Sequence, residues 1–564
     1  MNDPIGNDVG REILSFADII PTGIKIILVL SSWVLTKLTS PNMHWVITII
    51  GVFMRLLVNI VTPIVNYIYG ERPRCVPSIK NPLLKLSAAT LAKKIRLREI
   101  SSREVVQAYI ERIEEVNPII NAVVEERFEA ALKEATICDQ NIKDEKVTVH
   151  ELEKTKPLYG VPFTVKESCA LKGLSHTGAT LIRQGVKATS DGEAVELMRE
   201  AGGIPLCVTN TPELCTSFDS CNYLFGRTCN AYDSRYTAGG SSGGEGAIIG
   251  TGSSLIGIGS DIGGSIRLPA HFNGIFGHKP TAGVVPLKGH YPYSDDVNFK
   301  QVLVIGPLAR YAEDLHLAMK VLAVKCNRDL HLDKPVDLKK LNIFYLEDTG
   351  HSIGVIPTKP EIRACLKQAV MYLEDCGCTV KEYPRGSLLY TRVPALFSFF
   401  SIKEMPQLLS DPNDPKHEKQ LIYELPKALF GLSQYTKSMI FMKLLINIKY
   451  LLGSSKQLEI EAKSKQISKH FLELLGENGV FIYPTFPTAA PIGKTIALYM
   501  INATYCSIWN ILGFPSTHVP MGLNKDGLPI GFQVVAAPYQ DRLCLAVARE
   551  LEKHFGGWIP PYSS

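Results

Sequence analysis

Ordered cysteine spacing is the first thing missing from this chain. Its 13 cysteines are odd in number and scattered. The closest pair, Cys376 and Cys378, has no second pair with which to complete a zinc site. They are read as free thiols rather than a disulfide framework, and neither a metal nor a cofactor is expected. A strong charge bias is also missing: 60 basic against 55 acidic residues leave a formal charge of +5. No run of Lys and Arg with interleaved aromatics marks a nucleic-acid surface. Glycine (44) and proline (35) stay near average usage, which excludes collagen-like or low-complexity structure. No internal repeat is visible. Neither glycine run is followed by Lys-Ser or Lys-Thr, so there is no phosphate loop. Gly257-x-Gly259 is followed by Gly263, one residue too late for the dinucleotide fingerprint.

What is present is apolar bulk. Hydrophobic residues make up 46% and charged residues 20%, enough for a large buried core. The 564 residues exceed the usual ~100–200 of one domain. Residues 24–38 are apolar apart from Lys25, Lys37 and small hydroxyl side chains. Residues 45–68 form a longer stretch, with Arg55 as its only charge and Asn59, Pro63 and Asn66 as interruptions. At about 1.5 Å per residue the second stretch is long enough to cross a ~30 Å hydrocarbon layer. Trp45, Tyr67 and Tyr69 at its ends suit the headgroup zone, and Arg72 and Arg74 follow at once. A signal peptide fits poorly: the leader carries Asp3, Asp8, Arg11, Glu12 and Asp18, and no small-residue cleavage site follows the apolar run. A buried core helix is the other alternative. The expected division is a leader at 1–23, a membrane anchor at 24–70, a Pro-containing linker at 71–82 and one main domain at 83–560. Whether the anchor is a single helix or a hairpin is left open.

Within the main domain, Ser87 is an N-cap for a helix through Arg96. Ser101 or Ser102 opens a second helix that ends near Val116-Asn-Pro118. Residues 161–165, 204–209, 254–259, 341–345, 378–382, 479–483 and 527–535 read as strands, and 194–201, 360–376 and 541–555 as helices. This alternation predicts an α/β fold with a large mixed twisted sheet covered by helices. Residues 425–452 differ: Leu, Phe, Ile and Met are interleaved with Lys427, Lys437, Lys443 and Lys449, which suits either a packed helix pair or a membrane-surface element.

Two glycine-rich runs carry the chemistry. Gly239-Gly-Ser-Ser-Gly243 matches the nucleophile elbow of α/β-hydrolases, but Asp233-Ser-Arg-Tyr-Thr-Ala238 before it is not strand-like, as that elbow requires. Gly259-Ser-Asp-Ile-Gly-Gly-Ser265 has better context. It follows an apolar strand, and its glycine amides can converge on one point, as an oxyanion hole requires. Ser265 ends that loop and is the candidate nucleophile. His271 and His278 lack an evident orienting carboxylate. Lysine can act as a base once burial lowers its pKa, and Lys166 ends the apolar strand 161–165. The alternative for Lys166 is an ordinary surface lysine.

Gly239-Gly-Ser-Ser-Gly-Gly, Ser260-Asp-Ile-Gly-Gly-Ser-Ile-Arg267 and Val165-Lys-Glu167 together resemble the amidase signature family. Ser241 lies 75 residues after Lys166 and Ser265 a further 24, which matches that family's Lys–Ser–Ser set. The resemblance extends over about residues 83–556. The apolar N-terminus, Ile275-Phe-Gly-His-Lys-Pro280, Arg310-Tyr-Ala-Glu-Asp314 and Phe555-Gly-Gly-Trp558 make it similar to the membrane-bound fatty-acid amide hydrolases, the second type in particular. The resemblance implies that Lys166 is the base, Ser241 the proton carrier and Ser265 the acylated nucleophile. The amides of Ile262, Gly263, Gly264 and Ser265 would hold the oxyanion. Ser242, Asp261 and Arg267 would support the loops, Cys215 would present a backbone group to the substrate, and 425–452 would cap the mouth of the acyl channel.

The substrate so implied is a fatty-acid amide, a primary amide or an N-acylethanolamine, with no cofactor. The partners expected are lipid and membrane, without nucleic acid, and a homodimer is the one protein partner left open. The location implied is a membrane, an endomembrane in particular. Its sidedness is open, because Arg11 and Lys25 offset Arg72 and Arg74. Two rivals remain: the glutamine-hydrolysing subunit of a tRNA-dependent amidotransferase, and a membrane scaffold on a silent amidase fold.

Overall fold

A computed structural model describes residues 73–348, 355–384, 402–411, 414–448 and 454–562, together with Ile60, Ile64 and Leu388. The expected leader lies outside the described residues, as do the expected anchor stretches apart from Ile60 and Ile64. Among the described residues no helix is long and apolar enough to cross a membrane.

The N-terminal helices start where their caps dictate. Ser87 accepts from Thr90 N–H to open α1 (Ala88–Arg96), and Ser101 accepts from Glu104 N–H to open α2 (Ser102–Ile120), each satisfying an orphan amide of a first turn. The end expected near Val116-Asn-Pro118 falls two residues later: Pro118 lies inside α2, which is capped by Asn121 in the left-handed conformation. The Asn117 side chain holds that end by accepting from Ala122 and Val123 N–H. Part of the expected linker packs on the domain, since Val76 and Ile79 join the core and Arg74 N–H donates to Ser234 Oγ at 2.8 Å.

The core is an 11-stranded mixed sheet. In chain order its strands are β1 (Val123–Glu126), β2 (Pro162–Lys166), β3 (Ile204–Thr209), β4 (Ile256–Asp261), β5 (Phe276–Lys279), β6 (Val304–Ala309), β7 (Asn342–Tyr345), β8 (Thr379–Glu382), β9 (Gly479–Pro484), β10 (Ser516–Leu523) and β11 (Pro529–Ala536). Across the sheet they run β1-β3-β2-β4-β6-β5-β10-β11-β9-β7-β8. β2 is parallel to both β3 and β4, so Lys166, Thr209 and Asp261 end three adjacent parallel strands on the same side. The crevice beyond the carboxyl ends of parallel strands is where α/β sheets place their sites.

Two departures from the sequence pattern bear on the site. The strand expected at 254–259 begins and ends two residues later, because Ser254 is held in the preceding turn: its Oγ pairs with Thr164 Oγ1 at 2.9 Å and donates to Ile256 O. β10 interrupts its apolar residues with Ser516, Thr517, His518 and Pro520, so no strand is expected there, yet all four are buried. Most of their polar groups find partners, Thr517 with His278, Ser516 with Gln533 and His518 Nδ1 with Thr485, which offsets the cost of burying them; His518 Nε2 has none among the described residues.

Candidate active site

Helix α3 (Gly243–Gly250) is buried along its whole length. Its glycines allow that: a Cβ on Gly244 would lie 2.5 Å from Asn210 N, and one on Gly246 2.8 Å from Pro269 Cβ. Ser241 and Ser242 lead into this helix, and the Gly240–Ser241 peptide is cis. Ser220 anchors the run, with its Oγ donating to Gly239 O at 3.0 Å and accepting from Gly243 N–H at 3.0 Å. Ser242 links the run to β4, its Oγ donating to Ser260 O at 3.3 Å.

Lys166 is 0% exposed, which disposes of the surface-lysine alternative. Its Nζ donates to Ser241 Oγ at 2.7 Å and to Ser260 Oγ at 2.9 Å. Ser265 lies beside Ser242, the residue after Ser241, since Ser242 N–H donates to Ser265 O at 3.1 Å. The Ser265 hydroxyl itself makes no hydrogen bond among the described residues.

The loop before Ser265 is fixed by a buried ion pair. Arg267 meets Asp261 through Nε and Nη2, both at 3.1 Å. It then reaches Cys506 O, Gln533 Oε1 and Asn510 Oδ1. Against the upward push of burial, the Arg267 guanidinium and the surrounding donors hold the Asp261 carboxyl well below its usual range. Asp261 also accepts from Gly264 N–H at 2.6 Å and from Ile266 N–H at 3.0 Å. This corrects the expectation that Gly264 supplies an oxyanion amide, because a charged carboxylate already holds it. The amides of Ile262, Gly263 and Ser265 have no partner among the described residues. Gly264 instead lets the chain turn: its φ is +124°, and a Cβ there would lie 2.8 Å from Cys506 Cβ.

Cys215 sits in the turn Glu213–Cys215, where Leu214 and Cys215 both have positive φ. Its N–H donates to Pro212 O at 2.9 Å, which leaves the carbonyl as the backbone group for the position assigned to it. Its thiol, half-buried, meets Thr211 Oγ1 at 3.5 Å. Burial alone would push the thiol up, but Lys166, His290 and the Thr211 hydroxyl outweigh burial and bring it down to about 5.

Several site residues escape sequence reasoning. Ser260 touches Lys166, and His290 Nε2 lies 2.9 Å from Ser260 Oγ. Glu245, under Lys166 on α3, takes hydrogen bonds from Thr164 and Thr209 hydroxyls at 2.6 and 2.7 Å. Burial pushes its carboxyl up to about 7. Nothing local in the sequence marks His290 or Glu245, because their partners lie 30 to 81 residues away.

Residues 104–545 match the model of the amidase family. Fatty-acid amide hydrolase 2-B of Danio rerio is 43% identical over 87% of this chain and 93% of its own length. Fatty-acid amide hydrolase 2 of Homo sapiens is 41% identical over 86% and 91%. A solved fatty acid amide hydrolase superposes with a TM-score of 0.66 at 24% identity, covering 85% of this chain and 86% of that one. The chain belongs to the amidase signature family.

The thiol of Cys215 supplies a pH-dependent test. Beside a charged Lys166 the Cys215 thiol is brought down to about 5, so iodoacetamide should modify Cys215 nearly as fast at pH 6 as at pH 8. In Lys166→Ala the opposing charge is gone, and modification at pH 6 should slow by roughly tenfold or more. Peptide mass spectrometry reads both rates. Equal rates in the two proteins at pH 6 would remove Lys166 as the cause.

Proposed function

We propose that this amide hydrolase cleaves fatty-acid amides, primary amides or N-acylethanolamines, to fatty acid and amine through an acyl-enzyme on Ser265. The observation that carries the reading is the fully buried Lys166–Ser241 hydrogen bond beside an unengaged serine hydroxyl and three unengaged amides. As a free amine, Lys166 takes the proton of Ser241, Ser241 takes that of Ser265, and Ser265 Oγ attacks the amide carbonyl. The developing oxyanion is met by Ile262, Gly263 and Ser265 N–H groups, of which one donor is typically worth about 100–1000-fold in rate. Ser241 returns its proton to the leaving amine, and water activated along the same relay then releases the acid. Lys166 draws the Cys215 thiol down, so the two groups compete for one proton, and the relay runs from the form in which Cys215 holds it.

The lipid part of the proposal draws on the names of the similar hydrolases and on apolar surface. The stretches 24–38 and 45–68 would hold the chain at a membrane, an endomembrane in this reading. A second contact is the helix pair α4 (Leu421–Leu429) and α5 (Lys437–Ile448). Around it Leu429, Phe430 and Leu432 are 71%, 80% and 74% exposed, and Tyr423 and Phe441 are exposed with them. Single exposed apolar residues are ordinary on a soluble surface, but a contiguous group is not. The inner side of the pair packs on Leu214 through Tyr435, Met439 and Ile440, and Thr436 N–H donates to Glu213 at 2.7 Å. A membrane-docked helix pair would thus sit directly over the turn that presents Cys215.

Membranes carrying the full chain should hydrolyse oleamide and N-acylethanolamines, with no release of ammonia from glutamine. Ser265→Ala should lower that activity by about 1000-fold or more. Glutamine hydrolysis without lipid-amide hydrolysis would favour the amidotransferase-type reading, and no hydrolysis of any amide the silent scaffold. For the second contact, Phe430→Ser with Leu432→Ser should weaken binding to phosphatidylcholine vesicles roughly tenfold while leaving the thermal midpoint unchanged. Unaltered binding would exclude this surface as a docking element.

A further inference from the structure

His290 is buried in the site and takes no part in the relay described above. Its loop is tied to the segment that follows Lys166. Ala170 N–H donates to Gly289 O at 2.9 Å, Tyr291 N–H donates to Ser168 O at 2.8 Å, and Cys169 and His290 form an antiparallel bridge. Gly289 also lets the loop lie against Gly192, since a Cβ there would lie 2.4 Å from Gly192 Cα.

The ring's hydrogen bonds fix its tautomer. Nδ1 lies 2.8 Å from Pro292 O, and a carbonyl can only accept, so Nδ1 carries the proton. In the neutral ring Nε2 is then an acceptor. Two hydroxyls face it, Ser260 Oγ at 2.9 Å and Ser168 Oγ at 3.3 Å, and the shorter contact makes Ser260 the donor; the ring also meets Cys215, which holds its own proton when Lys166 is a free amine. A hydroxyl has one proton to give. With the Ser260 proton committed to Nε2, Ser260 offers Lys166 only a lone pair.

We infer that His290 is a positioning residue that aims the lone pair of Lys166 at Ser241 by fixing the Ser260 hydroxyl as an acceptor. This rests on the reading of Lys166 as the base. A free amine has two N–H groups and one lone pair. One N–H is taken by Ser260, and the lone pair is left for the Ser241 proton at 2.7 Å. Without the His290 acceptor, the Ser260 hydroxyl can turn its own proton onto Nζ. It then occupies the lone pair that Ser241 needs, and the base is present but pointed at the wrong serine.

The test is a double-mutant cycle on the full-length protein in membranes, read as the second-order rate at which a fluorophosphonate labels Ser265. His290→Asn keeps a donor for Pro292 O but is too short to accept from Ser260. It should slow labelling about tenfold, and in a Ser260→Ala background the same change should alter the rate by less than about twofold. His290→Gln, whose amide oxygen can reach Ser260, should recover at least about threefold over His290→Asn. His290→Phe repeats the measurement if His290→Asn does not fold. An equal loss in both backgrounds would mean that His290 acts by packing and would overturn the inference, as would a rate unchanged in His290→Asn. Lys166→Ala separates the two levels. If it does not slow labelling, the reading of Lys166 as base fails; if it does while His290→Asn matches wild type, the His290 inference fails alone.

Discussion

Asp261 and Arg267 form an ion pair with no exposed surface, and the geometry of the site hangs on it. Asp261 is the last residue of β4, one residue beyond the serine that touches Lys166. Its carboxylate fastens the turn through Gly264 and Ile266 N–H, and Arg267 fastens the same turn to Cys506, Asn510 and Gln533. Gln533 in turn donates to Pro484 and Tyr505 carbonyls, so a loop of a few residues is braced by strands and helices from the far end of the chain. Breaking a buried pair by removing one partner typically costs about 3–5 kcal/mol, because it leaves an uncompensated charge behind. That constraint fixes the loop whose three remaining amides have no partner among the described residues, and a fixed loop is the condition for electrostatic preorganisation.

The second constraint is proton supply. Lys166 meets hydroxyls on two sides, Ser241 and Ser260, so the direction in which each proton points decides whether its position is productive. Ser260 continues to His290, and in the proposed relay Ser241 continues to Ser265. Glu245 and Cys215 surround the same amine with groups whose titration is shifted toward the neutral or acid range by burial and by Lys166 itself. Perturbed groups gathered in one crevice mark a functional site. The turn Glu213–Cys215 connects this crevice to the exposed apolar helix pair, so that apolar surface and the groups around Lys166 share one short piece of backbone.

Much of this was legible in the sequence, and the remainder was hidden for identifiable reasons. Ser87 and Ser101 start their helices as N-caps do, the strand ending on Lys166 is where its apolar run places it, and the glycines around Ser265 form the turn they imply. Boundaries slipped where a polar side chain was recruited by a distant partner: Asn117 carries α2 past Pro118, and Ser254 delays β4. β10 was invisible because its Ser, Thr and His residues are buried with partners that lie elsewhere in the chain. Gly264 was mistaken for an oxyanion donor because a motif shows which amides are unshielded but not which are already engaged. His290 and Glu245 could not be singled out, since their meaning comes only from contacts across the sheet. The anchor and leader lie outside the described residues.

The central claim is the order of the relay, in which Ser265 is acylated and Ser241 only carries its proton. Mapping the fluorophosphonate adduct by peptide mass spectrometry in the wild-type chain, Ser241→Ala and Ser265→Ala addresses it most directly. The account predicts an adduct on Ser265 that forms more slowly in Ser241→Ala and is absent from Ser265→Ala. An adduct on Ser241, or labelling that survives Ser265→Ala and disappears in Ser241→Ala, would contradict it.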